Sequence, residues 1–315
     1  MLRRIYQTLT LFSQAVNCRN LYCLCHHNES EAIHTQPTFS SLAALEKKLP
    51  NILVTNDDSV SAPGLLTLAQ EMRKLGDVSI LAPDRNWSGG GHVKTLDRPL
   101  RIKEVTLVDG STAIASDGAP SDCVALALLG FFDHKFDLVV SGINSMPNLG
   151  HDVTYSGTVT AAMEAVIWET PAIAFSLGVQ EALASLNYTA AGQIAYMVVE
   201  NYLKHQLPQG CFLNVNIPYL PFNQIKGFRN TRQGLRVYRD RLDRRVDPRG
   251  RPYYWIGGDA PTGIPEEGTD VGALSGGYVS ITPLQLDLTM YSAIPALGDW
   301  EWEKNNNPLR SKDSG

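Results

Sequence analysis

Asn51-Ile-Leu-Val-Thr-Asn-Asp-Asp58 is the stretch on which the fold turns. Ile52, Leu53 and Val54 form a short apolar run, the pattern of a strand buried on both faces. It ends in two adjacent carboxylates, Asp57 and Asp58, followed by Ser59-Val-Ser-Ala-Pro63-Gly64. Pro63 suits the first turn of a helix, where a backbone N–H would have no partner anyway. Leu65, Leu68, Ala69, Met72 and Leu75 then fall at helical spacing, and Gly76 is a plausible stop. Val78-Ser-Ile-Leu-Ala82 reads as a second strand, which completes a β-α-β unit.

The alternation continues outward. Cys123 to Leu129 reads as helix, Asp137 to Ser141 as strand, Thr158 to Trp168 as helix and Pro171 to Leu177 as strand. Ala182 to Leu203 is a helical region and Phe212-Leu-Asn-Val-Asn216 a strand. Strands alternating with helices imply an α/β fold, a doubly wound, mainly parallel sheet covered on both faces. After Pro218 the texture changes to short extended stretches. Arg236 to Arg251 mixes both charges and reads as a solvated or interface loop, while Tyr278 to Thr289 alternates like an exposed or pairing strand. The expected organisation is an N-terminal extension (1–49), a domain (50–302) with its core at about 50–220 and an extended region at about 221–300, and a polar tail (303–315).

Composition narrows the function. The chain has 315 residues, 43% of them hydrophobic and 19% charged, enough to bury a large core. A net charge of -5 argues against a duplex nucleic-acid binder, which needs surplus Lys and Arg to displace counterions. A small anionic substrate remains open, because a metal supplies local positive charge. The odd, uneven set Cys18, Cys23, Cys25, Cys123 and Cys211 gives no disulfide framework, so a reducing, cytoplasmic location fits. Cys18 to His27 holds three cysteines and two histidines, but in no common finger spacing. No run approaches a membrane span. Residues 1–28 carry Arg3, Arg4 and Arg19 without an acid, as transit peptides do, but a dispensable extension explains them as well.

In open α/β sheets ligands bind at the carboxyl ends of the strands. The polar residues collected there are Asn56-Asp57-Asp58, Pro83 to Gly91 with Ser88, and Ser141-Gly-Ile-Asn144 leading to Asn148 and Tyr155-Ser156-Gly157-Thr158. Adjacent carboxylates at a buried strand end call for a cation, and two carboxylates, a hydroxyl and an amide oxygen suit Mg2+ or Mn2+. An Asp-Asp pair alone would serve equally as a loop or helix cap. Ser156-Gly157-Thr158, before an apolar helical run, offers free amides and hydroxyls for a phosphate, or simple capping. Other nucleotide sites lack their fingerprints: Val93 breaks a Walker loop, and no G-x-G-x-x-G or G-x-S-x-G is present. A haloacid-dehalogenase-like phosphatase would need Asp-x-Asp after the first strand, where this chain has Asp57-Asp58.

Taken together, these motifs resemble the stationary-phase survival protein SurE family, metal-dependent 5'(3')-nucleotidases of which some also trim polyphosphate. The resemblance runs from about Asn51 to Trp300. It also rests on Ala62-Pro-Gly64, Ala82 to Gly89, Pro120 to Val124, Pro147 to Gly150, Gly268-Thr-Asp270 and Gly277 to Leu284. It implies a Rossmann-like fold, one divalent ion (Mg2+ or Mn2+) per subunit held by Asp57, Asp58, Ser88 and Asn144, and catalysis at Asp57 and Asp58. It implies a phosphate pocket lined by Asn148, Ser156 and Thr158. It also implies a homodimer or homotetramer formed by exchanging the strand pair around Tyr278 to Thr289. Two residues depart from the family pattern. Ser59 stands where relatives usually have glycine, at a cost of about 1 kcal/mol if φ is positive there. Met146, often glycine in relatives, narrows the pocket. A catalytically degenerate nucleotide-binding protein is the alternative, with only Ser59 and Met146 in its favour.

Overall fold

The computed structural model describes residues 48–300 apart from 180–184 and 206. The Cys18 to His27 cluster and the tail at 303–315 lie outside the described residues, as does the N-terminal extension apart from its last two positions.

The first half contains β1 (Asn51–Thr55), α1 (Pro63–Met72), β2 (Asp77–Pro83), β3 (Ile102–Thr106), β4 (Thr112–Ser116), α2 (Pro120–Leu126), β5 (Leu138–Asn144) and α3 (Gly157–Ile167). The second contains β6 (Ala172–Gly178), α4 (Thr189–Tyr202), β7 (Phe212–Pro218), β8 (Phe228–Asn230), β9 (Arg236–Val246), β10 (Pro252–Gly263), α5 (Asp270–Ser275) and β11 (Val279–Leu284). Among the described residues they form one nine-stranded sheet of order β3-β4-β2-β1-β5-β6-β7-β11-β8 and a separate β9-β10 pair. The five pairings from β4 through β2, β1, β5 and β6 to β7 are all parallel.

Side chains on a strand alternate between faces, and β1 shows what that does to its sequence. Ile52 and Val54 pack with Leu65 and Leu68 of α1 and Ile194 of α4. Leu53 packs on the other face with Cys123 of α2 and Ala161 of α3. Each fully buried Leu or Ile contributes about 1.5–3 kcal/mol, so an unbroken apolar run is what a strand covered twice requires. Helix α1 approaches closely because of Gly64, where a Cβ would lie 2.1 Å from the carbonyl oxygen of Ile143.

The chain departs from the expectations in three places. β3 and β4 pair antiparallel at one edge and were not legible as strands. Arg236 to Arg251 is not a loop but β9 and its turn, paired antiparallel with β10. Val279–Leu284, within the stretch expected to leave the body, is instead β11 of the main sheet, antiparallel to β7 and beside β8. Its polar face is held by hydroxyls: Thr231 Oγ1 lies 2.8 Å from Ser280 Oγ and 2.7 Å from Thr282 Oγ1. The hairpin that stands apart is therefore β9-β10.

Candidate functional site

β1 lies between β2 and β5, so the loops leaving their carboxyl ends meet over one crevice. The loop after β1 is held by its own backbone: Asn56 Nδ2 donates to the Ser59 carbonyl at 2.9 Å, and Val60 N to that of Pro83 at 2.8 Å. Ser59 has φ 109°, the left-handed region that a side chain disfavours. The strain expected from its departure from glycine is thus present, and it sits beside the two carboxylates.

Asp57 is only 2% exposed. Its Oδ1 accepts a short hydrogen bond from the Thr158 hydroxyl. The N-terminus of α3 abuts it because residue 157 is glycine, where a Cβ would come within 2.7 Å of Asp57 Cβ. Asp58 is half-buried, and its oxygens accept from Asn86 Nδ2 at 3.3 Å and Ser145 N at 3.2 Å. Burial pushes the Asp57 pKa up, against the hydrogen bonds from Thr158. Burial, and then the neighbouring Asp57 charge, raise Asp58 to about 6.

Neither carboxylate has a Lys, Arg or His partner among the described residues. Asn144 spends its Nδ2 on the Met146 carbonyl at 2.7 Å, which leaves its side-chain oxygen available. Two desolvated carboxylates without a counter-charge, an amide oxygen and the Ser88 hydroxyl make a hard, oxygen-only donor set that fits a Mg2+- or Mn2+-like ion. No group of three or more His, Cys, Asp or Glu residues gathers elsewhere among the described residues.

The rest of the crevice is built to position amides. Asn148 N donates to Asn216 Oδ1 at 2.8 Å, and its carbonyl accepts from Asn214 and Asn216 at 2.8 and 3.0 Å. Asn148 Nδ2 reaches Ser176 Oγ at 2.7 Å. Ser156 caps α3, accepting from Val159 N at 3.1 Å. Asp270 ties the Asn148 loop to the C-terminal half: its carboxylate accepts from Gly150 N at 2.8 Å and Gly234 N at 2.7 Å.

Asp57, Ser88, Asn144, Asn148 and Ser156 all line one cavity of about 650 Å3, a size that holds a nucleotide-sized ligand. Met146 sits on its wall and is 40% exposed. Asp58 is not among the lining residues; Ser145, whose amide donates to it, is. Thr158, expected among the phosphate-lining residues, is fully buried, does not line the cavity and donates its hydroxyl to Asp57. Asn214, Asn216 and Ser176 were missed, although a polar Asn214 and Asn216 alternating within an apolar run was the available signal. Arg236, at the root of β9, also lines the cavity and pairs with Asp152 at 2.7 Å.

With this geometry the comparisons agree. The model of the family described as "Survival protein SurE" matches residues 52–240. The chain is 50% identical to the 5'-nucleotidase SurE of Herpetosiphon aurantiacus over 80% of its own length and 98% of the relative's. It is 43% identical to the 5'-nucleotidase SurE of Aquifex aeolicus over 79% of its length and 97% of that protein. The crystal structure of the SurE protein from Aquifex aeolicus superposes with a TM-score of 0.67 at 41% identity, covering 79% of this chain and 98% of that one. The chain belongs to the SurE family.

Proposed function

We propose that the chain is a divalent-metal-dependent phosphomonoesterase that converts nucleoside 5'-monophosphates, and 3' esters as well, to nucleoside and phosphate. One observation carries this reading: Asp57, buried, and Asp58, half-buried, stand without a Lys, Arg or His partner among the described residues, with Asp57 against the N-terminus of α3 at the switch point of the sheet. The relatives named 5'-nucleotidase support it at 43–50% identity. Polyphosphate trimming belongs to the same proposal: the bond is a phosphoanhydride rather than an ester, but the same attack of water on a terminal phosphorus breaks it.

Asp57, Asp58, Ser88 and Asn144 would hold one Mg2+ or Mn2+ per subunit. Such an ion supplies, when bound, neutralisation of the phosphate charge and a water of lowered pKa. Thr158 keeps Asp57 turned toward the site. The first amides of α3, at Gly157 and Thr158, hold the Asp57 carboxylate, while the Ser156 hydroxyl and the second Asn148 Nδ2 hydrogen steady the equatorial oxygens. The Asp58 carboxylate takes a proton from the water that attacks phosphorus in line. The P–O bond to the sugar breaks, and the leaving oxygen takes a proton from solvent. Asp58 returns its proton to solvent, so that water plus monoester gives alcohol plus phosphate.

Assembly is part of the reading. β9-β10 leaves Leu242, Val246 and Ile256 in solvent on one face, which suits a second copy in a homodimer or homotetramer. The exchange thus falls to this hairpin, not to the strand around Tyr278. Among the described residues no helix is long and apolar enough to cross a membrane. A cytoplasmic location goes with the cysteine usage.

Phosphate release from a panel of nucleoside 5'-monophosphates, with Mn2+, Mg2+ or EDTA, tests the proposal. Release that needs metal and collapses in Asp58→Asn is expected. A folded wild type that releases none from any substrate would instead make the chain a nucleotide-binding relative.

A further inference from the structure

Ser88 opens the glycine-rich loop Ser88-Gly-Gly-Gly91-His-Val-Lys-Thr95, and both Gly89 and Gly91 have positive φ. Such a segment has no conformation of its own, because glycine admits both hands of the backbone. Ser88 itself is anchored from its N-terminal side, where its amide donates to Asn86 Oδ1 at 2.7 Å and Gly90 N donates to the Trp87 carbonyl at 2.9 Å. The rest of the loop is held by partners outside it, from Tyr155, α3 and α2. Gly91 N donates to the Tyr155 carbonyl at 3.0 Å, and Thr160 Oγ1 donates to the Gly91 carbonyl at 3.1 Å. Thr95 is tied to Asp122 through its amide at 2.9 Å and its hydroxyl at 2.6 Å.

The strongest tie is ionic. Glu164, on α3, has a side chain only 2% exposed. It lies 2.8 Å from His92 Nε2 and 2.5 Å from Lys94 Nζ, and accepts from Trp168 Nε1 at 2.9 Å. Lys94 also lies 5.6 Å from the centre of the Trp168 ring. A carboxylate this buried is tolerated only with partners, and the Lys94 ammonium and the His92 ring both come from the loop. Ser156, Thr160 and Glu164 are spaced i, i+4 and i+8, so they stand along one face of α3. The helix whose first turn holds Asp57 therefore also holds the Ser88 loop two turns further on.

We propose that Glu164 is a positioning residue for the cation site: by clamping His92 and Lys94 it fixes the Gly89 to Thr95 loop and so the Ser88 hydroxyl. The inference rests on the proposed function for the role of Ser88. It sets a positioning residue outside the cavity, since Glu164 does not line it.

Binding of Mn2+ to the substrate-free protein, followed by calorimetric titration, reads the clamp without turnover. Glu164→Gln is expected to weaken Mn2+ about tenfold, the usual scale for a residue that orients a ligand. Glu164→Asp, which keeps the charge, recovers part of that loss. Asp109→Asn removes the partner of Arg73 and Ser111, a surface cluster, and serves as the control for destabilisation alone; it leaves Mn2+ affinity unchanged. Trypsin cleavage after Lys94, located by mass, speeds up in Glu164→Gln. Where that variant fails to fold, Lys94→Met gives the same titration with Glu164 still bonded to His92 and Trp168. Unchanged Mn2+ affinity in a folded variant overturns the proposal. A wild type that binds Mn2+ but releases no phosphate overturns the enzymatic reading and leaves this one standing, whereas no Mn2+ binding at all overturns both.

Discussion

The crevice over β1 and the β9-β10 hairpin break the ordinary rules of burial in opposite directions. In the crevice, charged and amide side chains are buried: Asp57 is 2% exposed, and Asn214 and Asn216 are fully enclosed. In the hairpin, apolar side chains face water: Trp255 is 62% and Ile256 82% exposed. Each region is incomplete by itself. Two carboxylates with no counter-charge want a cation, and a two-stranded ribbon, marginal alone in water, wants a second surface. They are also mechanically distinct. The crevice is cross-linked by hydrogen bonds from several elements, whereas the hairpin is held along most of its length by its own ladder.

Gly157→Ala attacks the crevice hardest. The added Cβ would sit 2.7 Å from Asp57 Cβ and 3.0 Å from Pro120 Cγ, with Thr158 pinning the carboxylate. Overpacking costs about 1–3 kcal/mol of stability, and a misplacement near 1 Å costs about a hundredfold in rate. A steady-state assay at saturating Mn2+ should therefore show kcat/KM down about a hundredfold. A near-normal rate would mean that the helix can retreat and that the contact does not set the geometry.

Ile256→Asp attacks the hairpin. If the face of Leu242, Val246 and Ile256 meets a second copy, losing a central apolar anchor costs about 2 kcal/mol or more, about thirtyfold in association. Sedimentation at micromolar concentration should show the mass fall toward the monomer while Mn2+ affinity stays that of the wild type. Loss of both together would erase the distinction between the regions.

The same contrast explains what was legible beforehand. β1, β2, β5, β6 and β7 lie in the middle of the sheet under helices on both faces, so they announce themselves as apolar runs. β3 and β9 carry Lys103 and Glu104, or Arg239 and Asp240, at exposed positions, so charged residues interrupt the apolar ones and the alternation does not stand out. β11 did show its alternation, but its polar face turned out to be buried against Thr231 rather than wet. Within the site, Asp57, Asp58, Ser88, Asn144 and Asn148 follow strands and could be collected by position. The role of Thr158 and the support from Ser176 and Asp270 depend on which loops touch, which spacing along the chain does not reveal.

A smaller effect separates the Glu164 clamp from the rest by pH. Burial acts most strongly on this carboxyl and would raise its pKa. Hydrogen bonds from His92, Lys94 and Trp168, with the Lys94 charge, together outweigh it and leave it at about 2 against an ordinary 4.5. A depressed carboxyl pKa stabilises the fold fully above 4.5 and loses that stabilisation as pH falls toward 2. The melting temperatures of wild type and Glu164→Gln should differ by the equivalent of about 2 kcal/mol at pH 6 and converge near pH 2. A gap independent of pH would show that packing, not charge, makes the clamp.

Ser59→Gly gives the smallest change and bears on the one strained point beside the carboxylates. Relief of a left-handed side chain returns about 1–2 kcal/mol, and the extra freedom glycine brings to the unfolded chain removes about 0.4–1. The exposed 3.1 Å contact between the Ser59 and Ser61 hydroxyls adds little. The Asn56 bond goes to the carbonyl of residue 59 and survives the substitution. The balance is a gain of about 0.5 kcal/mol, or one to two degrees in Tm for a domain of this size. Ser59→Ala separates the causes: it deletes the hydroxyl but keeps the strain, so it should not raise Tm. If Mn2+ affinity rises with Tm in Ser59→Gly alone, the strain at residue 59 reaches Asp57 and Asp58. If Tm rises and affinity does not, Thr158 and Ser145 hold the carboxylates firmly enough to isolate them from it.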